Sequence, residues 1–92
     1  MKKNFVIRAK VWRWPGDVGW YFVTLDRKLS QDIRRVFTKG FVKIRAEMGN
    51  SIWNSSLFPH KESGYLLCIK KSVRSAEDIF EGDEVNIKVK IL

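Results

Sequence analysis

Gly82-Asp83-Glu84-Val85-Asn86-Ile87-Lys88-Val89-Lys90-Ile91 is the stretch that decides the fold. Val85, Ile87, Val89 and Ile91 fall on one side, and Asn86, Lys88 and Lys90 on the other. A period of two is the mark of a strand with one buried face and one wet face. Gly82-Asp83 just ahead of it is turn chemistry that launches the strand. The same alternation stands at the other end of the chain, where Phe5, Ile7, Ala9 and Val11 oppose Arg8 and Lys10.

Working inward, Pro15-Gly16-Asp17 predicts a turn that folds the first strand, Phe5 to Val11, back as a hairpin. The returning strand, Trp20 to Leu25, is apolar at nearly every position, so it is expected to be central and covered on both faces, and Trp20 and Trp53 are both expected in the core. A helix follows. Ser30 is the expected cap, and Leu29, Ile33, Val36 and Phe37 make one apolar stripe. Arg34, Arg35 and Lys39 take its wet side, and Gly40 suits a left-handed C-terminal position. The helix is read as a plug for one end of a barrel.

Val42 to Met48 alternates again, and Gly49-Asn50 is a two-residue hairpin loop leading into Ser51 to Leu57. Pro59 is expected to break that ladder and open a loop from His60 to Ser63, before a strand from Tyr65 to Lys70. Val73, Ala76 and Ile79 allow one short helical turn. The sum is a mainly β, single-domain chain over residues 1–92: a small antiparallel six-stranded β-barrel with one helix and a short helical turn. No βαβ rhythm is present, which argues against a parallel sheet.

Composition bounds the function. Eighteen Lys and Arg face ten Asp and Glu, a net charge of +8. Residues 1–76 carry net +11, and residues 77–84 hold five acids and no base. A positive field of this size attracts polyanions in general. Cys68 is the single cysteine, so no internal disulfide can form, and it is expected to act as a small hydrophobe. No apolar run resembles a signal peptide or a membrane span, and the expected setting is soluble and cytoplasmic, with no membrane partner.

Metal chemistry needs several convergent ligands, and His60 with Cys68 does not supply them. The glycines are single turn residues rather than a phosphate cradle, so no cofactor is expected. Ser55 and Ser56 stand near His60, the only imidazole base, but serines at a strand end more simply satisfy backbone groups. The chain is therefore read as leaning away from an enzyme.

Two surfaces are candidates for binding. Trp12, Arg13 and Trp14 form a basic aromatic hairpin tip able to stack on unpaired bases; the alternative is aromatics packed across the strand pair. Arg8, Lys10, Lys43, Arg45, Lys88 and Lys90 occupy outward positions, and on adjacent strands they would form a cationic wall suited to phosphates. The alternative there is a solvated face that blocks edge pairing.

Trp53-Asn54-Ser55-Ser56-Leu57-Phe58-Pro59 has the form Trp-x-Ser/Thr-Ser-Leu-x-Pro. Gly64-Tyr65-Leu66-Leu67, Lys70, Val73-Arg74 and Gly82-Asp83-Glu84-Val85 follow it, and Phe5, Ala9 and Gly19-Trp20-Tyr21-Phe22-Val23 precede it. This ordered set resembles the domain-of-unknown-function family nineteen-oh-five over nearly the whole chain. The resemblance implies a small β-barrel of bacterial and archaeal proteins, sometimes fused to a domain associated with bacteriocin resistance, and it implies no activity. Asp26 and Cys68 stand where the family commonly has Pro.

By the same resemblance, Trp53, Ser55, Ser56, Lys70 and Arg74 are expected at one barrel opening, where Arg74 would hold a small anion. An architectural reading is favoured over it: Arg74 pairs with Asp83 or caps a carbonyl, and the serines tie down a turn. Three functions follow in order: a non-enzymatic binding domain of unassigned ligand, a nucleic-acid binder, and a small-anion site or enzyme around Ser55, Ser56 and Arg74. A monomer and an edge-paired homodimer are both open.

Overall fold

Alternation over Glu84–Ile91 (β7) and Asn4–Lys10 (β1) brings the two ends of the chain together, because each strand has one apolar face to bury. They pair antiparallel with Phe5 opposite Val89 and Ile7 opposite Ile87. The computed structural model describes residues 3–38, 40–61 and 64–92. Lys39, expected on the wet side of the helix, and Glu62 and Ser63 of the expected loop lie outside the described residues.

The remaining elements in chain order are Trp12–Arg13 (β2), Tyr21–Thr24 (β3), helix Arg27–Val36 (α1), Val42–Met48 (β4), Ser51–His60 (β5), Gly64–Cys68 (β6) and helix Lys71–Glu77 (α2). One antiparallel sheet runs β1-β7-β4-β5-β6-β3-β2. Its two ends, β1 and β2, are joined through Val11 alone, so the sheet curls back on itself. Among the described residues seven strands therefore stand where six were expected. The extra one arises because Val11 turns a single segment from its partnership with β7 to one with β3.

That corner is held by main-chain bonds. The Val11 N–H donates to the Asp83 carbonyl and the Gly82 N–H to the Val11 carbonyl, both at 2.8 Å. Asp83 in turn accepts from the Phe80 N–H through Oδ2 at 2.8 Å. The Gly82-Asp83 turn thus launches β7 and also pins the point where the barrel closes.

Inward positions fill the barrel. Ile44, Ala46, Leu57, Leu67, Val23 and Ile87 are wholly buried in one apolar cluster. Small barrels of this kind are packed cores rather than pores. Ile33 of α1 and Val73 of α2 join the same cluster from the ends.

Several local expectations need correction. Asp26, not Ser30, caps α1: its Oδ1 accepts from the Leu29 N–H at 2.7 Å, and the helix starts one turn earlier than expected. Asp binds first-turn N–H groups as well as Ser does, and Ser30 is drawn inside by burial against β6. Val36 faces solvent, so the apolar stripe is narrower than read. Gly40 has φ 76, yet it lies beyond the C-cap, Phe37. The short turn is a seven-residue helix, α2. Strand β6 ends at Cys68 rather than Lys70.

Pro59 does not break the ladder. β5 continues to His60, with Pro59 opposite Tyr65. The pairing with β4 ends at Leu57, so Pro59 lies where β5 has β6 as its one neighbour. A residue without an N–H is tolerated at such an edge position. Among the described residues no helix is long and apolar enough to cross a membrane.

Candidate functional site

Because the interior is packed, a binding surface has to be built from outward side chains, and the strand parity sorts these into two kinds. On β1, β7 and β4 the outward positions are mostly cationic. These strands are neighbours in the sheet, so Arg8, Lys10, Lys88, Lys90, Lys43 and Arg45 share one face. Arg45 stands directly opposite Lys90. Like charges facing each other across a ladder cost stability rather than add it, so fold maintenance does not account for that pair. Two acids interrupt the face: Glu47 lies 3.8 Å from Lys88, and Glu84 is opposite Lys10.

On the other side of the barrel the outward positions are aromatic. Trp12 on β2, Trp14 just after it, Phe22 on β3 and Phe58 on β5 point outward. Trp12 is opposite Phe22, with ring centroids 5.3 Å apart, and its Nε1 donates to Thr24 Oγ1 at 2.9 Å. The hairpin-tip aromatics do pack across the strand pair. Phe22 is only 3% exposed, although it faces away from the core, because other rings roof it. Trp14 packs edge-on to Phe22 at 5.9 Å, and Phe58 does so at 6.2 Å. Phe41, just before β4, tilts against Phe58 at 4.9 Å.

Trp20, expected in the core, is 54% exposed and joins this outer cluster. Its parity places it with Phe22 on the outside, and the near-continuous apolar run of this segment hid that alternation. Trp20, Trp14, Phe41, Phe58 and His60 surround a depression of about 240 Å³ floored by Phe22 and Leu66. His60 meets Trp14 edge to face at 6.2 Å.

The residues singled out by family resemblance are spread over separate places. Trp53 is buried in the core, and its Nε1 has no hydrogen-bond partner among the described residues. Ser55 and Ser56, with Lys43, Asn54, Phe58 and Leu92, line a shallow depression of about 470 Å³. Arg74 lines a different one with Tyr21 and Phe80. Its Nε donates to the Ile69 carbonyl at 3.0 Å, and its guanidinium lies 3.9 Å from the Tyr21 ring centroid. Arg74 therefore caps a carbonyl, and Asp83 bonds Phe80 instead of it. Lys70 is exposed at the N-cap of α2, and its side chain makes no capping bond.

His60 and the two serines line different depressions. Arg13 lies beside the aromatic cluster with its Nη2 donating to the Gly16 carbonyl at 2.9 Å, which steadies the turn. Cys68 is half-buried opposite Phe22; burial pushes its thiol pKa up, and the positive charge of Arg74 offsets this in part. A thiol held protonated in this way is a poor nucleophile. Among the described residues no group of three or more His, Cys, Asp or Glu side chains converges.

Sequence reasoning missed Phe41, Phe58 and the outward turn of Trp20. The signal was present in parity, since Phe58 sits one residue from inward Leu57 and Phe22 one from inward Val23. It also missed a third surface, where Arg27, Gln31 and Arg34 of α1 meet His60 and Lys61 around a depression of about 350 Å³. Arg34 lies 5.2 Å from the Tyr65 ring centroid there. That cluster forms only when the helix packs beside the β5–β6 turn.

No curated protein matches the chain. The signature order from Trp53 to Val85 now lies on one continuous barrel, and the family model described as "Domain of unknown function (DUF1905)" matches residues 8–89. On that match, which spans nearly the whole barrel, the chain belongs to the DUF1905 family.

Proposed function

We propose that this chain is a non-enzymatic binding domain that works through the outside of its barrel, and that its ligand is nucleic acid. The observation that carries the reading is the set of six cations, Arg8, Lys10, Lys43, Arg45, Lys88 and Lys90, on three neighbouring strands. Arg45 opposite Lys90 is a repulsive pair that a bound phosphate would neutralise. Contacts of this kind are independent of sequence, and counterion release drives them. The cytoplasm of a prokaryote is the setting that fits, with Cys68 left as a free thiol.

A small anion held jointly by Ser55, Ser56 and Arg74 is the weaker reading. It would require Arg74 to leave both Tyr21 and the Ile69 carbonyl.

Fluorescence anisotropy of a labelled duplex across a salt series tests the nucleic-acid reading. Affinity should fall as salt rises, and removing Arg45 and Lys90 together should flatten the log–log slope by about two. Absence of binding at low salt, or affinity indifferent to salt, would refute it.

A further inference from the structure

The aromatic depression sits between two cationic ones. It shares Phe58 with the depression that holds Lys43, and it shares His60 with the one that holds Arg27, Arg34 and Lys61. Among the described residues, no side chain lining these three depressions is acidic, whereas the basic wall and the Arg74 depression each include an acid. A continuous tract therefore runs cation, aromatic, cation around the outside of the barrel from β4 to α1. Trp20 is 54% exposed and Phe41 66% exposed within it. Apolar rings grouped this openly on a small domain mark a site of contact.

From this tract we infer that the Trp14–Trp20–Phe41 depression binds the bases of single-stranded nucleic acid, while Lys43 on one side and Arg27, Arg34 and Lys61 on the other hold its phosphates. The inference deepens the nucleic-acid reading and rests on it. Base stacking on exposed rings beside a cationic groove is the general means of gripping unpaired strands without reading sequence. A duplex hides its base faces and has no use for the rings.

Charge argues against a second copy of the chain as the occupant. Each copy carries net +8, and a two-fold contact would bring the same cationic rim against itself. Shape argues against a membrane surface. The rings wall a concave hollow over Phe22 and Leu66, where insertion into lipid calls for protruding side chains.

The test compares a labelled 15-nucleotide oligothymidylate with a 15-base-pair duplex, using the wild-type chain, Trp20→Ala, Phe41→Ala and the double variant. Both side chains are more than half exposed, so the variants should keep the wild-type melting temperature within a few degrees; Phe41→Trp, which keeps a ring, should bind at wild-type levels or better. Single-strand affinity should fall about 10-fold per ring removed, with the salt slope and the duplex affinity unchanged. Quenching of tryptophan fluorescence by the oligothymidylate should weaken in Trp20→Ala.

Single-strand affinity equal in wild type and double variant would overturn the inference, and salt-dependent duplex binding would then leave the wall reading standing. Failure of both oligonucleotides to bind would overturn the two readings together. Ring-dependent dimers in sedimentation, or ring-dependent capture by vesicles of anionic phospholipid with no oligonucleotide binding, would assign the depression to those occupants instead.

Discussion

At Gly64 the backbone takes φ 92, and a Cβ there would stand 2.6 Å from both Cβ and Oγ of Ser30. The glycine is needed twice over, for its dihedral and for the close approach of α1 to β6. Ser30 is correspondingly trapped, with its Oγ buried and without a partner among the described residues. Gly16 is the useful contrast: φ is 112, but a Cβ would meet nothing within 4 Å. Gly64→Ala should therefore cost about 2–3 kcal/mol and Gly16→Ala about 1 kcal/mol. Urea denaturation of both variants checks the difference, and equal losses would mean that Ser30 yields without cost. The Asp26 cap belongs to this scale too. Its reading failed because Ser30 and Asp26 are both good capping residues, and only the packing of Ile33 into the core fixes the phase of the helix.

Among the elements, α2 is too short to be stable by itself, and a side chain fastens it to the β4–β5 hairpin. Glu77 accepts from Ser51 Oγ at 2.7 Å through one oxygen and from the Asn50 N–H at 3.3 Å through the other. Gly49 has φ 60, and a Cβ there would overlap the same carboxylate, so a side chain at this position would push the Glu77 carboxylate aside. Glu77→Ala should lower stability by about 1–2 kcal/mol and speed hydrogen exchange at Asn50. Unchanged exchange there would show that the helix is held by Val73 and Arg74 and not by Glu77. The strands with strict alternation, Val42–Met48 and Glu84–Ile91, were legible from sequence nearly to the residue. Where apolar residues run on without alternation, as from Trp20 to Leu25, both faces read as buried and sequence cannot say which side is the core. That ambiguity put Trp20 in the interior, and without the strand order Phe41 and Phe58 could not be placed beside Phe22. The cationic positions were legible because charge has one acceptable direction on a half-buried strand, outward. Their adjacency was not, since it depends on β7 lying between β1 and β4.

For the molecule as a whole, the ladder that matters most joins residues near opposite ends: Phe5 is opposite Val89. Contacts so distant in sequence make for slow folding, in the range of about milliseconds to seconds. Stopped-flow refolding followed by tryptophan fluorescence should show it, and microsecond refolding would contradict a barrel closed by its last strand. The bonds between Val11 and Gly82-Asp83 sharpen the point, because the corner cannot set until that turn exists. On the ribosome, which extends a chain by about 5–20 residues per second, the first strand must wait several seconds for its mate. During that interval Phe5, Ile7, Ala9 and Val11 form an apolar stripe with nothing to cover it. Arg8 and Lys10, interleaved with that stripe, make stray strand pairing unfavourable. The positive charge of the first strand thus serves the newborn chain as a guard against aggregation before it can serve the finished barrel as a surface.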